Sequence, residues 1–142
     1  MHYQSALAEE IRASAARLLS EDVGPGDITA QLIPEHQWAS ADVITREAAI
    51  LCGAPWVDEL FRRLDSRVSL TWHAADGDKL EAEQCFLTRE GPARVLLTGE
   101  RAALNVLQTL SATATATRAY VDLIEDTGVR LLDTRKTLPG MR

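Results

Sequence analysis

Apolar positions recur at three- and four-residue steps from residue 5 to residue 19: Leu7, Ile11, Ala15, Leu18 and Leu19, with Glu9, Glu10, Arg12 and Arg17 on other faces. That period predicts an amphipathic helix. It stops at Glu21-Asp22-Val23-Gly24-Pro25-Gly26-Asp27-Ile28-Thr29, where two glycines and a proline cannot continue a helix and Asp27 starts a new turn. The three carboxylates lack calcium-loop spacing, and a helix exit followed by a capped turn accounts for them. Residues 38–46 predict a strand and residues 48–53 a second one or its continuation, with Glu47 at the bend. Pro55 fits the first turn of a helix running to Leu64, with Trp56, Val57, Leu60, Phe61 and Leu64 as its apolar stripe and Asp58, Glu59, Arg62 and Arg63 facing water.

Residues 68–73 alternate, Val68, Leu70 and Trp72 inward against Ser69, Thr71 and His73 outward, which is a half-buried strand. His73 has no cysteine or second histidine nearby in sequence and reads as structural. Asp76-Gly77-Asp78 predicts a tight turn leading through Lys79 and Leu80 to a strand near residues 85–88, and Glu90-Gly91-Pro92 predicts another turn. A strand is expected over residues 93–97, after which Thr98 caps a helix with Glu100 in its first turn. On that helix Arg101, Asn105 and Gln108 fall at i, i+4 and i+7 and share a polar stripe. An arginine so near a helix amino terminus opposes the dipole and calls for a compensating acid or ligand. The repeat Ala112-Thr113-Ala114-Thr115-Ala116-Thr117 is compatible with helix, and a helical face continues to Thr127 before Gly128 ends it. The apolar residues 129–132 then predict a strand, followed by Asp133-Thr134-Arg135-Lys136-Thr137-Leu138-Pro139-Gly140. Ligand loops lie just past the carboxyl ends of strands in barrels and open sheets, so Thr134, Arg135 and Lys136 form a candidate anion site. Short strands between helices describe an α+β fold, with an α/β sandwich over residues 1–112 and the opening of an α/β layout over residues 113–142.

The 142 residues suffice for one domain and the start of another. A net charge of -6 argues against nucleic acid as the main partner without forbidding a local anion site. Cys52 and Cys85 lie far apart without metal spacing and are expected as buried thiols in a reducing compartment. No apolar run approaches the ~18 residues of a membrane span, and the first residues lack the pattern of a signal peptide, so a cytoplasmic location is expected.

Several of these stretches are familiar together. Gly99-Glu100-Arg101-Ala102-Ala103-Leu104-Asn105, then Leu110-Ser111, then Asp133-Thr134-Arg135-Lys136-Thr137-Leu138-Pro139-Gly140-Met141-Arg142 closely resemble quinolinate phosphoribosyltransferase, also called carboxylating nicotinate-nucleotide pyrophosphorylase. The segment from Glu21 to Thr29 and Thr45-Arg46-Glu47 look like the same family, so the similarity covers nearly the whole chain from Leu18. One departure is Ala112, where the family commonly has glycine. The resemblance implies a two-domain enzyme of NAD biosynthesis, an amino-terminal sandwich followed by an α/β barrel, working as a homodimer with shared sites. It implies quinolinate and phosphoribosyl pyrophosphate as substrates, with magnesium, and nicotinate mononucleotide, pyrophosphate and carbon dioxide as products. The resemblance implies Arg101 and Arg135 as the positions that bind the quinolinate carboxylates, with Lys136 adding a point charge, Thr134 a hydroxyl or backbone contact, and Arg101 serving the neighbouring subunit. Groups for the donor and the metal lie further along the family's barrel, so the chain is expected to be truncated at Arg142 and to have no turnover alone. Competing readings are a nicotinate-specific or molybdenum-transport-associated homologue, a dimerising domain, or a biotinyl-like carrier, for which Lys79 lacks the motif.

Overall fold

The computed structural model describes residues 2–24, 26–134 and 136–137. Among them, helices α1 (His2–Val23), α2 (Ala54–Leu64) and α3 (Ala93–Ile124) accompany strands β1 (Trp38–Ile44), β2 (Ala49–Ile50), β3 (Ser69–Trp72), β4 (Lys79–Leu80) and β5 (Cys85–Pro92). β5 is central in an antiparallel sheet of order β1-β5-β3, and β2 pairs with β4. Because side chains alternate across a strand, Val43, Leu87 and Arg89 share one face with the helices while Asp42 and Thr88 face away. Thr88 donates to Asp42 (2.7 Å), and His73 Nε2 lies 2.9 Å from the Thr88 hydroxyl, so His73 belongs to a surface network across the strands.

The core joins Val57, Leu60 and Phe61 of α2 to Leu96, Ala103, Val106 and Leu107 of α3, with Val43, Leu51, Leu80 and Leu87 from the strands and Ala15 from α1. Two glycines let the layers meet. A Cβ on Gly99 would lie 2.6 Å from Phe61 Cε1, and one on Gly91 would lie 3.0 Å from Val68 Cγ2. The start of α2 is capped from a distance, because the Asp76 carboxylate accepts from the backbone N–H groups of Gly53 (3.0 Å) and Ala54 (3.0 Å). These are donors a helix cannot satisfy itself.

The sequence reading errs around residue 90. Glu90, Gly91 and Pro92 form no turn; they continue β5, with Ala39 opposite Gly91 and Trp38 opposite Pro92. Residues 93–97 are not a strand, since α3 begins at Ala93 with Pro92 before it. The burial of Ala93, Leu96, Gly99, Ala102, Ala103, Val106 and Leu107 is helical in period, and five residues were too short a window to show it. Thr98 therefore caps nothing, and Glu100 and Arg101 stand eighth and ninth in α3, beyond the first turn. The dipole argument for Arg101 fails with that boundary. α3 runs unbroken across residues 112 and 113 and ends at Ile124, so the expected domain boundary falls inside one helix. Residues 129–132 form no strand: Val129, Leu131 and Leu132 are exposed, and no described strand pairs with them to satisfy their backbone groups.

Two burial expectations also change. Cys52 and Cys85 are free and half-buried rather than buried, and burial, then the Asp76 charge, pushes the Cys52 thiol up. Glu59 does not face water; it is buried under Arg62 and Arg63, whose Nε atoms each lie 2.7 Å from its carboxylate. The hydrogen bonds from Arg62, opposed by burial and joined by those from Arg63, hold the Glu59 pKa at about 2, below its ordinary 4.5. A depressed carboxyl contributes stability above its unfolded pKa and loses it as pH falls through the folded value. Between pH 4.5 and 2 the Glu59→Gln protein should therefore lose less stability than the parent, a difference that urea midpoints across that window would register or refute.

Candidate functional site

Arg101 leaves the outer side of α3 beside the end of α1. Leu18, Glu21 and Asp22 from α1 and Arg101, Ala102 and Asn105 from α3 enclose a pocket of about 300 Å³. Arg101 Nε lies 3.2 Å from Asp22 Oδ1; the arginine side chain is 76% exposed and that of the aspartate 16%. The chain after α1 is then fastened to α3. Asp27 Oδ1 accepts from the backbone N–H of Ala30 (2.9 Å), and its Oδ2 accepts from the Thr98 hydroxyl (2.9 Å). Those two bonds, the Ala30 amide first, hold the Asp27 carboxyl below its usual range against a smaller effect of burial, and the Arg101 charge adds to them. Arg94 Nε donates to the Ile33 carbonyl (2.6 Å), pinning the 3-10 turn Ala30–Leu32 from its far end. The helix exit and capped turn read from the sequence are present; their attachment to α3 was not legible there.

A larger cleft of about 970 Å³ lies between the β1–β2 segment and α3, with Arg46, Glu47, Phe86, Glu100 and Gln108 on its walls. Gln108 thus parts from Arg101 and Asn105, and the predicted polar stripe serves two concavities. Arg89 also borders this cleft. Its side chain is 4% exposed, Nη2 donates to Glu100 (2.9 Å), the guanidinium carbon stands 5.8 Å from the Phe61 ring centre, and Nε and Nη1 have no hydrogen-bond partner among the described residues. At the far side, Ser111 Oγ accepts from the Cys52 N–H (3.0 Å) and donates to the Cys52 carbonyl (3.2 Å), while Thr115 Oγ1 accepts from the Ile50 N–H (2.9 Å). Thr115 therefore ties α3 to β2, and Ser111 ties it to Cys52 just beyond that strand, whereas Thr113 and Thr117 bond carbonyls of their own helix.

Thr134 and Lys136 are exposed and lie outside regular structure, and the Thr134 hydroxyl accepts from the Lys136 N–H (3.3 Å). Arg135 and residues 138–142 lie outside the described residues. Among the described residues no hydrogen bond or ion pair joins Arg101 to Thr134 or Lys136, and neither of these lines the Arg101 pocket. No cluster of three or more His, Cys, Asp or Glu side chains is gathered for a metal among them, and no described helix is long and apolar enough to cross a membrane. The sequence reading missed Asp22 as the partner of Arg101 and Arg89 as a buried cation. The second was legible, because Arg89 stands at an inward position between Leu87 and Gly91.

The quinolinate phosphoribosyl transferase amino-terminal domain matches residues 27–111, and the carboxyl-terminal domain of the same family matches residues 113–142. A probable carboxylating nicotinate-nucleotide pyrophosphorylase of Bacillus subtilis is 41% identical over 122 residues, covering 86% of this chain and 42% of the relative. The Mycobacterium leprae carboxylating nicotinate-nucleotide pyrophosphorylase is 37% identical over 137 residues, covering 92% of this chain and 48% of its own. The solved structure of the nicotinate-nucleotide pyrophosphorylase from Francisella tularensis superposes with a TM-score of 0.91 at 41% identity, over 94% of this chain and 48% of that one. The chain thus spans less than half the length of these relatives. With both family domains matched in order and a solved relative of the same fold, the chain belongs to the quinolinate phosphoribosyltransferase family.

Proposed function

We propose that these residues are the amino-terminal part of an enzyme that transfers a phosphoribosyl group to quinolinate and decarboxylates the product to nicotinate mononucleotide. The observation that carries this reading is the match to both family domains in sequence, with Arg101 exposed at a pocket rim and Thr134 and Lys136 exposed to solvent. Quinolinate is a planar dianion. Arginine's fork meets a carboxylate through two parallel charge-assisted bonds, which suits Arg101 and Arg135, while Lys136 adds a point charge and Thr134 a hydroxyl. In the reaction the pyridine nitrogen bonds to the anomeric carbon of phosphoribosyl pyrophosphate as the bond to pyrophosphate breaks. The carbon–carboxylate bond adjacent to the new pyridinium then breaks, its electron pair remains on the ring, carbon dioxide leaves, and a proton replaces it. Magnesium belongs with the donor in this reading. The described residues gather no donor set for it, and none is assigned to it. We further place the protein in the cytoplasm as a homodimer in which Arg101 completes the partner's site, with residues 113–142 opening the barrel.

The test uses the full-length enzyme that carries this segment. Arg101→Ala should lower kcat/KM for quinolinate about 100-fold or more, from the loss of two charge-assisted bonds of roughly 1.5–3 kcal/mol each, while the KM for phosphoribosyl pyrophosphate stays within twofold. Nicotinate, with one carboxylate, should be a poor substrate. Equal turnover of nicotinate and quinolinate, or an Arg101→Ala enzyme with unchanged quinolinate kinetics, would overturn the assignment.

A further inference from the structure

α1 ends in a way that its own sequence does not balance. Its last turn carries Glu21 and Asp22 and no basic residue, although the carboxyl end of a helix bears partial negative charge. The nearest compensation comes from another helix, where Arg101 Nε meets Asp22 Oδ1 at 3.2 Å. The two partners are unequally held. The aspartate is 16% exposed and the arginine 76%, so the carboxylate is the fixed member and the guanidinium the projecting one.

The contact is an ion pair whose closest atoms are Nε and Oδ1. Arg67 offers a contrast within the same chain, since both its Nε (3.0 Å) and its Nη2 (2.6 Å) bind Asp65, which consumes that side of the fork. Among the described residues Arg101 donates no hydrogen bond to Asp22; the two form an ion pair closest at Nε, which keeps both amino groups Nη1 and Nη2 available to a second carboxylate. The segment that supplies Asp22 is itself fixed to α3 by the Asp27–Thr98 bond (2.9 Å), three residues before Arg101. We infer that Asp22 is a positioning residue: its fixed carboxylate draws the Arg101 guanidinium by charge, closest at Nε, and so turns the terminal amino groups toward a carboxylate of the substrate. The inference rests on the proposed role of Arg101. It gives the acidic end of α1 a task in recognition, because an exposed arginine biased by a neighbouring charge toward its binding geometry loses less side-chain freedom on binding.

In the full-length enzyme, Asp22→Ala and the near-isosteric Asp22→Asn should each raise the KM for quinolinate about tenfold, leaving the KM for phosphoribosyl pyrophosphate and the thermal midpoint unchanged. Asp22→Glu should recover most of the loss, and the Asp22→Ala/Arg101→Ala double variant should be no worse than Arg101→Ala, since the aspartate acts through the arginine. An unchanged quinolinate KM in both Asp22 variants overturns the inference. So does a lowered KM, which would make Asp22 a competitor of the substrate, or an equal rise for both substrates with a falling thermal midpoint, which would make it a structural tether. If Arg101→Ala itself leaves quinolinate KM unchanged, the functional reading fails as well; if Arg101→Ala raises it and the Asp22 variants do not, only the positioning role is lost.

Discussion

Phe61→Ala should cost about 3–5 kcal/mol of unfolding free energy, read from urea denaturation, the range for emptying a large buried aromatic site. The ring is 1% exposed, sits at the centre of the α2–α3 contact, and lies under the Arg89 guanidinium. Its partner in the opposite sense is Gly99. Alanine there would gain about 1 kcal/mol of helix propensity, but its Cβ would meet the Phe61 ring at 2.6 Å and Leu64 Cδ1 at 2.8 Å. Phe61 is too well buried to yield easily, so Gly99→Ala should be net destabilising by about 1–2 kcal/mol. Combined with Phe61→Ala, the same substitution should cost less than it does alone, because the Phe61 ring it struck is gone and Leu64 has space to move into. Additive single and double variants would show that the helices separate freely and that the contact is not the constraint described.

The second large effect concerns the Arg89–Glu100 pair, and its two halves should behave differently. Glu100→Ala leaves an arginine that is 4% exposed without its counter-charge. The expected loss is about 2–4 kcal/mol, below the ~3–5 kcal/mol of a wholly buried pair because the Glu100 side chain is 45% exposed. Arg89→Met keeps much of the volume and removes the charge together with the unpartnered Nε and Nη1, so it should be neutral or stabilising. If instead Arg89→Met proves as damaging as Glu100→Ala, the pair is a net source of stability and the unpartnered nitrogens carry no penalty.

The elements with a sustained period were legible from the chain alone. α2 follows from Pro55 and the stripe of Val57, Leu60 and Phe61, and β3 from the alternation of Val68, Leu70 and Trp72. The family, too, was readable from two long motifs. What failed was the junction at Pro92, where a strand passes into a helix without a loop. Turn-forming residues gave the usual signal for a break, whereas Gly91 is there because Val68 Cα would come within 3.2 Å of any Cβ. Contacts between distant segments were invisible for a different reason. Nothing in the spacing of Asp22 and Arg101, or of Asp76 and Gly53, says that they meet; the packing of α1 and α2 against α3 decides it. Arg101 was selected by motif and placed by a mistaken helix start, and it still proved to be exposed at a pocket with an acid beside it.

The unbroken course of α3 has a geometric consequence. Its 32 residues make a rod of about 48 Å, in which each residue advances the chain by about 1.5 Å and turns it by about 100°. Thr115 and Ser111 fix the azimuth of that rod against β2 and Cys52 beyond it, and whatever follows Ile124 inherits it. A single residue inserted after Thr115 would swing the following chain about a quarter-turn around the sandwich while leaving the core intact, whereas seven would restore the bearing and only lengthen the reach. The direction in which the rest of the polypeptide departs is written as an angle, in the number of residues between Thr115 and Ile124.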